Sequence, residues 1–171
     1  AGKFSSDQGA SSESVCTECA ENAVSSEGAS ACVCSPGYEL PAIKQSADVC
    51  IACEEGFYKD IIGDQPCTPC AIGTFADEIG LTSCKACPAL ATTTSTQTER
   101  ANDCVCMAGY TGRANNFAPC VPCQPGTYKI VSGSSGCVKC GIGKHSDVLN
   151  GTSASVCKDC VDQFAWSPQG S

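Results

Sequence analysis

The residues that build hydrophobic cores are scarce in this chain: Leu, Ile, Val and Phe occupy only 28 of the 171 positions. That share lies below the roughly 20% under which a charged chain reads as disordered, so an ordinary single core is excluded. Basic residues are also few. Ten Lys and Arg, scattered along the chain, face eighteen Asp and Glu, for a net charge of −8 and a pI near 4.5. Phosphate backbones and anionic lipid surfaces both call for clustered Lys and Arg, so the pattern excludes nucleic acid and anionic membrane surfaces as partners. No apolar run approaches the roughly 20 residues that span a bilayer, so membrane attachment is expected only through parts of a parent chain outside these residues. The opening AGKFSSDQGA has neither Met nor a signal peptide, and a piece of a mature, processed protein is expected.

What the chain has instead is cysteine, 18 residues of it. At more than a tenth of the composition, cysteine takes over the role of the core. The cysteines fall into nine doublets, starting at Cys16, Cys32, Cys50, Cys67, Cys84, Cys104, Cys120, Cys137 and Cys157. Those at Cys32 and Cys104 are C-x-C; the other seven are C-x-x-C. The order repeats every four doublets at a period of 68 to 73 residues, and the intervening text agrees: ACVCSPGY with DCVCMAGY, CEEGFYKDIIGDQPC with CQPGTYKIVSGSSGC. The domains expected are residues 19–86 and 87–159 as two cysteine-rich repeats, 1–18 as the C-terminal part of a preceding repeat, and 160–171 as the start of a further one. In the internal copies a cysteine stands three residues before the Gly that matches Gly2, so a cysteine just upstream of Ala1, and another shortly after Ser171, are expected in a longer parent.

Gly, Ser, Thr, Asn and Asp recur too often for an amphipathic helix, and the longest β-like runs, FYKDII and TYKIV, are short. The fold class expected is small and disulfide-rich: an elongated array of short β-ribbon loops with little regular secondary structure. The Gly of each C-x-x-G is expected at positive φ, where other residues are resisted.

Doublets of this kind serve structural disulfides, zinc sites or redox dithiols. Zinc takes two doublets at a time, which nine do not supply evenly, and a redox dithiol occurs once, at a helix start within an α/β unit. Disulfides are favoured, and with them an oxidising compartment, extracellular or at the cell surface through the secretory pathway. Neither a metal nor any other cofactor is expected. Closing the second cysteine of one doublet onto the first of the next gives uniform loops: Cys19 with Cys32, Cys34 with Cys50, Cys53 with Cys67, Cys70 with Cys84, Cys87 with Cys104, Cys106 with Cys120, Cys123 with Cys137, and Cys140 with Cys157. Cys16 and Cys160 would then find partners outside these residues. A crossed set, such as Cys70 with Cys87 and Cys84 with Cys104, is the alternative.

These motifs resemble the ephrin-receptor-like cysteine-rich repeats, which are related in style to tumour-necrosis-factor-receptor and EGF-like modules. The resemblance is carried by C-x-x-G-[FY], C-x-C-x-x-G-Y and the Ser-rich CAENAVSSEGASACVCSPGY (Cys19 to Tyr38). It implies an extracellular rod of linked loops used as spacer, adhesion segment or interaction surface. Forward closure of the kind Cys34 to Cys50 and Cys106 to Cys120 also occurs in EGF-like modules. No kinase segment, ligand-binding domain or calcium signature accompanies the repeats, so ephrin recognition does not carry over.

Other residues invite chemistry. His145, the single histidine, has Ser146 and Asp147 beside it, but consecutive residues cannot form a triad, and it fills the slot held by Phe4, Tyr58, Phe75 and Tyr128 in equivalent loops. That slot, two residues after the Gly, is expected to cover the neighbouring disulfide. Asn150-Gly151-Thr152 is a sequon, making Asn150 a possible N-glycosylation site. ATTTSTQTER (Ala91 to Arg100) reads as a solvated loop open to O-glycosylation. Glu54, Glu55, Asp77 and Glu78 read as acidic surface, and Trp166, without a counterpart, as a candidate contact. The function expected is a non-enzymatic extracellular rod or spacer segment of a larger surface, coat or filament protein, whose partners are other protein chains. The alternatives are the ligand-binding stalk of a cell-surface receptor and a zinc-binding cysteine array.

Overall fold

The computed structural model describes residues 2–7, 12–41, 49–114 and 119–160. Trp166 lies outside the described residues. The chain divides into two compact units, one of residues 1–70, 75–85 and 97–99, the other of 71–74, 86–96 and 100–171.

Both units are built from antiparallel two-residue ribbons, nine among the described residues. In the first unit Lys3–Phe4 pairs with Thr17–Glu18, Ala23–Val24 with Val33–Cys34, Tyr38–Glu39 with Ile51–Ala52, and Phe57–Tyr58 with Thr68–Pro69. In the second, Ala91–Thr92 pairs with Val105–Cys106, Tyr110–Thr111 with Val121–Pro122, Thr127–Tyr128 with Val138–Lys139, and Lys144–His145 with Lys158–Asp159. The ninth joins Thr74–Phe75 to Lys85–Ala86. Among the described residues helix is confined to the single turns Glu13–Val15, Ala101–Asp103 and Ala154–Val156. None of the described helices is long and apolar enough to cross a membrane.

A two-residue ribbon is too short to hold itself. Disulfides close the loops, eight of them: Cys19–Cys32, Cys34–Cys50, Cys53–Cys67 and Cys70–Cys84 in the first unit, and Cys87–Cys104, Cys106–Cys120, Cys123–Cys137 and Cys140–Cys157 in the second. Their Cα–Cα separations run only from 5.5 to 5.8 Å, so one geometry is reused throughout. Closing a loop of about 15 residues removes roughly 3 kcal/mol of chain entropy from the unfolded state, which is how so little apolar surface suffices. Cys16 and Cys160 are free thiols, both half-buried.

Within each unit the backbone also ties loop to loop. The amide of Gly37 donates to the carbonyl of Lys59 and that of Gly56 to Ala76, each at 2.8 Å; in the second unit Gly109 donates to Lys129 and Gly126 to Ser146. A longer rung reaches back to a buried cysteine: the amides of Gly63, Gly80 and Gln97 donate to Cys34, Cys53 and Cys70, and those of Gly133 and Asn150 to Cys106 and Cys123. The stacking is tight enough to forbid a side chain where the rungs cross. A Cβ added at Gly37 would lie 2.3 Å from the carbonyl oxygen of Gly80, and one at Gly109 would lie 2.5 Å from that of Asn150. Both glycines also sit at positive φ, +83° and +79°.

Candidate functional site

The position three residues after the turn is only half-buried at Ser5, Leu40 and Gly112, but in the other six loops it lines the interior of its unit. Ser25, Lys59, Ala76, Thr93, Lys129 and Ser146 occupy it, and all are buried. The slot one residue earlier, expected to cover the disulfides, is less enclosed: Phe75 is buried, but Tyr58, Tyr128 and His145 are only half-buried. Successive strand residues point to opposite faces, so only one of the two slots can face the interior. With few apolar residues available, that interior is polar and has to satisfy every donor it contains. It does so among the described residues, where no buried side-chain nitrogen or oxygen lacks a partner.

The two lysines show how. Lys129, 2% exposed, donates three hydrogen bonds from Nζ, to the carbonyls of Gly133 at 2.6 Å, Tyr110 at 2.9 Å and Cys106 at 3.2 Å. An ammonium has three donors, so this cage uses all of them. Lys59, the matching residue of the first copy and equally buried, donates to the carbonyls of Tyr38, at 2.7 Å, and Gly63. Burial pushes both ammoniums below the ordinary lysine range, while at Lys59 the nearby Asp64 and Glu39 carboxylates push the other way. Those carboxylates also accept backbone amides, Asp64 from Cys34 and Glu39 from Cys67 at 2.6 Å.

The Thr-rich stretch is only partly the solvated loop that its composition suggests. Ala91–Thr92 is a ribbon strand, and Thr93 and Thr98 are buried. Thr93 Oγ1 accepts the Gly73 amide at 3.0 Å and donates to the Ser95 carbonyl at 2.9 Å, taking the place of a backbone rung. Thr94 to Gln97 are exposed.

Of the residues beside His145, Asp147 is exposed and Ser146 is part of the fold. Ser146 is buried, with its carbonyl accepting the Gly126 amide and its Oγ the amide of Val148 at 3.2 Å. His145 Nδ1 lies 3.9 Å from Cys160 Sγ. Asp77 and Glu78 both meet Lys85, at 2.6 and 2.5 Å; the Lys85 hydrogen bond holds the Asp77 carboxyl below its usual range, and the two carboxylates raise the Lys85 ammonium. A groove of about 570 Å³ is lined, among the described residues, by Asn102, Cys104, Val105, Gly112, Arg113 and Ser134, with the Arg113 guanidinium its one charged group among them. Sixteen cysteines are consumed in disulfides and have no thiolate to give to zinc.

The chemistry of the molecule is therefore that of a repeated, cross-linked surface. Comparison with known proteins finds the same unit. A family described as tyrosine-protein kinase ephrin type A/B receptor-like matches residues 61–104 and 109–157, together more than half of the chain. The chain belongs to the ephrin-receptor-like family. The first ephrin-receptor-like match takes in Cys67, Cys70, Cys84, Cys87 and Cys104, and the second takes in Cys120, Cys123, Cys137, Cys140 and Cys157. The matches are thus three loops apart, whereas the longer internal duplication is four apart. Ephrin type-A receptor 8 of Homo sapiens is 56% identical over 36 residues, which is 21% of this chain and 3% of that receptor. The chain spans a small fraction of that relative's length.

Proposed function

We propose that these residues form an extracellular stalk segment of a receptor-type surface protein: a non-catalytic, disulfide-linked spacer that meets other proteins and carries other modules away from a membrane. The observation that carries the reading is the repeated disulfide-closed loop, matched twice by a receptor-like family. It favours the receptor stalk over the coat or filament rod expected first. Density of disulfides supports passage through the secretory pathway. In this reading, residues 19–86 and 87–159 are two repeats, and 1–18 and 160–171 belong to their neighbours.

Aliphatic residues stand exposed at matched places in both copies, Ile72 with Ile142, Ile79 with Leu149, and Ile51 with Val121, and supply apolar area for protein contacts. Sedimentation velocity of the oxidised 171-residue chain separates the two structural readings. A stalk segment stays monomeric as concentration rises. Concentration-dependent growth into lateral oligomers would overturn the stalk in favour of the assembling rod.

A further inference from the structure

The two copies differ at one turn in a way that changes what can be attached there. Gly80-Leu81-Thr82 in the first corresponds to Asn150-Gly151-Thr152 in the second. The backbone role is the same: Gly80 at φ +72° donates its amide to the Cys53 carbonyl, and Asn150 at φ +52° donates to that of Cys123, both at 2.8 Å. Asn is among the few side chains that tolerate this conformation, which alone would account for it. Yet Gln97 holds the same kind of rung at φ +58°, so the position does not demand Asn. With Thr retained two residues on, this substitution completes a sequon.

We infer that Asn150 is an N-glycan acceptor, so that one copy of the repeat is sugar-bearing and the other is bare. Asn150 and Thr152 are both exposed. The backbone of Asn150 packs inward against Gly109, and its side-chain Nδ2 donates to the Tyr110 hydroxyl at 3.1 Å. A carboxamide nitrogen has two hydrogens. Glycosylation breaks one Nδ2–H bond and forms an Nδ2–C1 bond to the first sugar, while a lipid-diphosphate-linked oligosaccharide donor loses its lipid diphosphate, which leaves with the proton. The second hydrogen stays for Tyr110, so the sugar and the observed hydrogen bond are compatible. The glycan is rooted next to exposed Leu149, whose counterpart Ile79 has no acceptor beside it.

The inference rests on the extracellular reading, and the test separates the two. The 171 residues are secreted from a eukaryotic cell behind a signal peptide, and the Asn150 peptide is mapped before and after enzymatic deglycosylation, with disulfide state measured on the same sample. Wild-type protein should lose one glycan, with Asn150 converted to Asp. Thr152→Ala and Asn150→Gly should remove the glycan and keep eight disulfides. Gly80→Asn should add a second glycan, because Asn tolerates the φ of +72° there and its Cβ meets only ordinary contacts, Ala52 at 3.7 Å and the Gly37 carbonyl oxygen and Tyr38 hydroxyl at 3.9 Å. Oxidised, secreted wild-type protein with unmodified Asn150 overturns the glycan alone. Protein that cannot be secreted in oxidised form overturns the extracellular reading and the glycan with it.

Discussion

Replacing Lys129 by Met keeps most of the side-chain bulk but removes all three donors from the cage. The Cys106 carbonyl still accepts the Gly133 amide at 3.0 Å, whereas the carbonyls of Tyr110 and Gly133 lose the ammonium. An unsatisfied buried acceptor costs about 1–3 kcal/mol. Two of them, less the desolvation no longer needed for a buried charge, give a net loss of about 3 kcal/mol. At about 1.4 kcal/mol per decade, local opening of the second unit becomes roughly a hundredfold more frequent. Amide hydrogen exchange with disulfides intact reads this directly at Gly109, Lys129 and Gly133, whose N–H groups donate to Lys129, Gly151 and Cys106. The amides of Gly37 and Gly56 in the first unit serve as the internal reference. A change of less than about threefold at all three amides, below about 0.7 kcal/mol, would refute the claim that the caged ammonium organises the interior.

Two further outcomes follow from the same geometry. Gly109→Ala and Gly143→Ala both impose positive φ on Ala, at a cost of about 1–2 kcal/mol, but only Gly109 also meets a carbonyl, since nothing lies within 4 Å of a Cβ at Gly143. Thermal unfolding should therefore rank Gly109→Ala clearly below Gly143→Ala, and equal effects would contradict the tight loop crossing. Asp77 has a folded pKa depressed below 3.8, so its contribution is complete above that value and is lost as pH falls through the lower folded one. Lys85→Met should move the Asp77 titration up toward 3.8 in a carboxyl NMR titration; an unmoved titration would exclude Lys85 as the cause.

The class of fold is written plainly in the chain, because eighteen cysteines in doublets against so few aliphatics leave a disulfide framework as the available core. Short ribbons follow from Gly-punctuated runs too brief for anything longer. The interior is far harder to read. Its positions are filled by Ser25, Lys59, Ala76, Thr93, Lys129 and Ser146, which share no hydropathy, and a lysine at such a place reads as surface. What fixes them is a backbone of carbonyls turned inward by the stack, which composition does not display. One signal is present: Lys59 and Lys129 recur at the same offset from Gly56 and Gly126, and the residues whose carbonyls cage them recur with them, Tyr38 with Tyr110 and Gly63 with Gly133. Thr93 and Thr98 are hidden in the same way, inside a run whose polarity suggests water. Partner identity is less legible still, since repeated loops specify how neighbours stack and leave their outer faces free to differ.

Each loop is closed onto its own ends, and peptide mapping of the unreduced, alkylated protein measures that closure most directly. It should recover Cys19–Cys32, Cys34–Cys50, Cys53–Cys67, Cys70–Cys84, Cys87–Cys104, Cys106–Cys120, Cys123–Cys137 and Cys140–Cys157, with alkylation confined to Cys16 and Cys160. Recovery of a crossed pair such as Cys70–Cys87 or Cys84–Cys104 would contradict it.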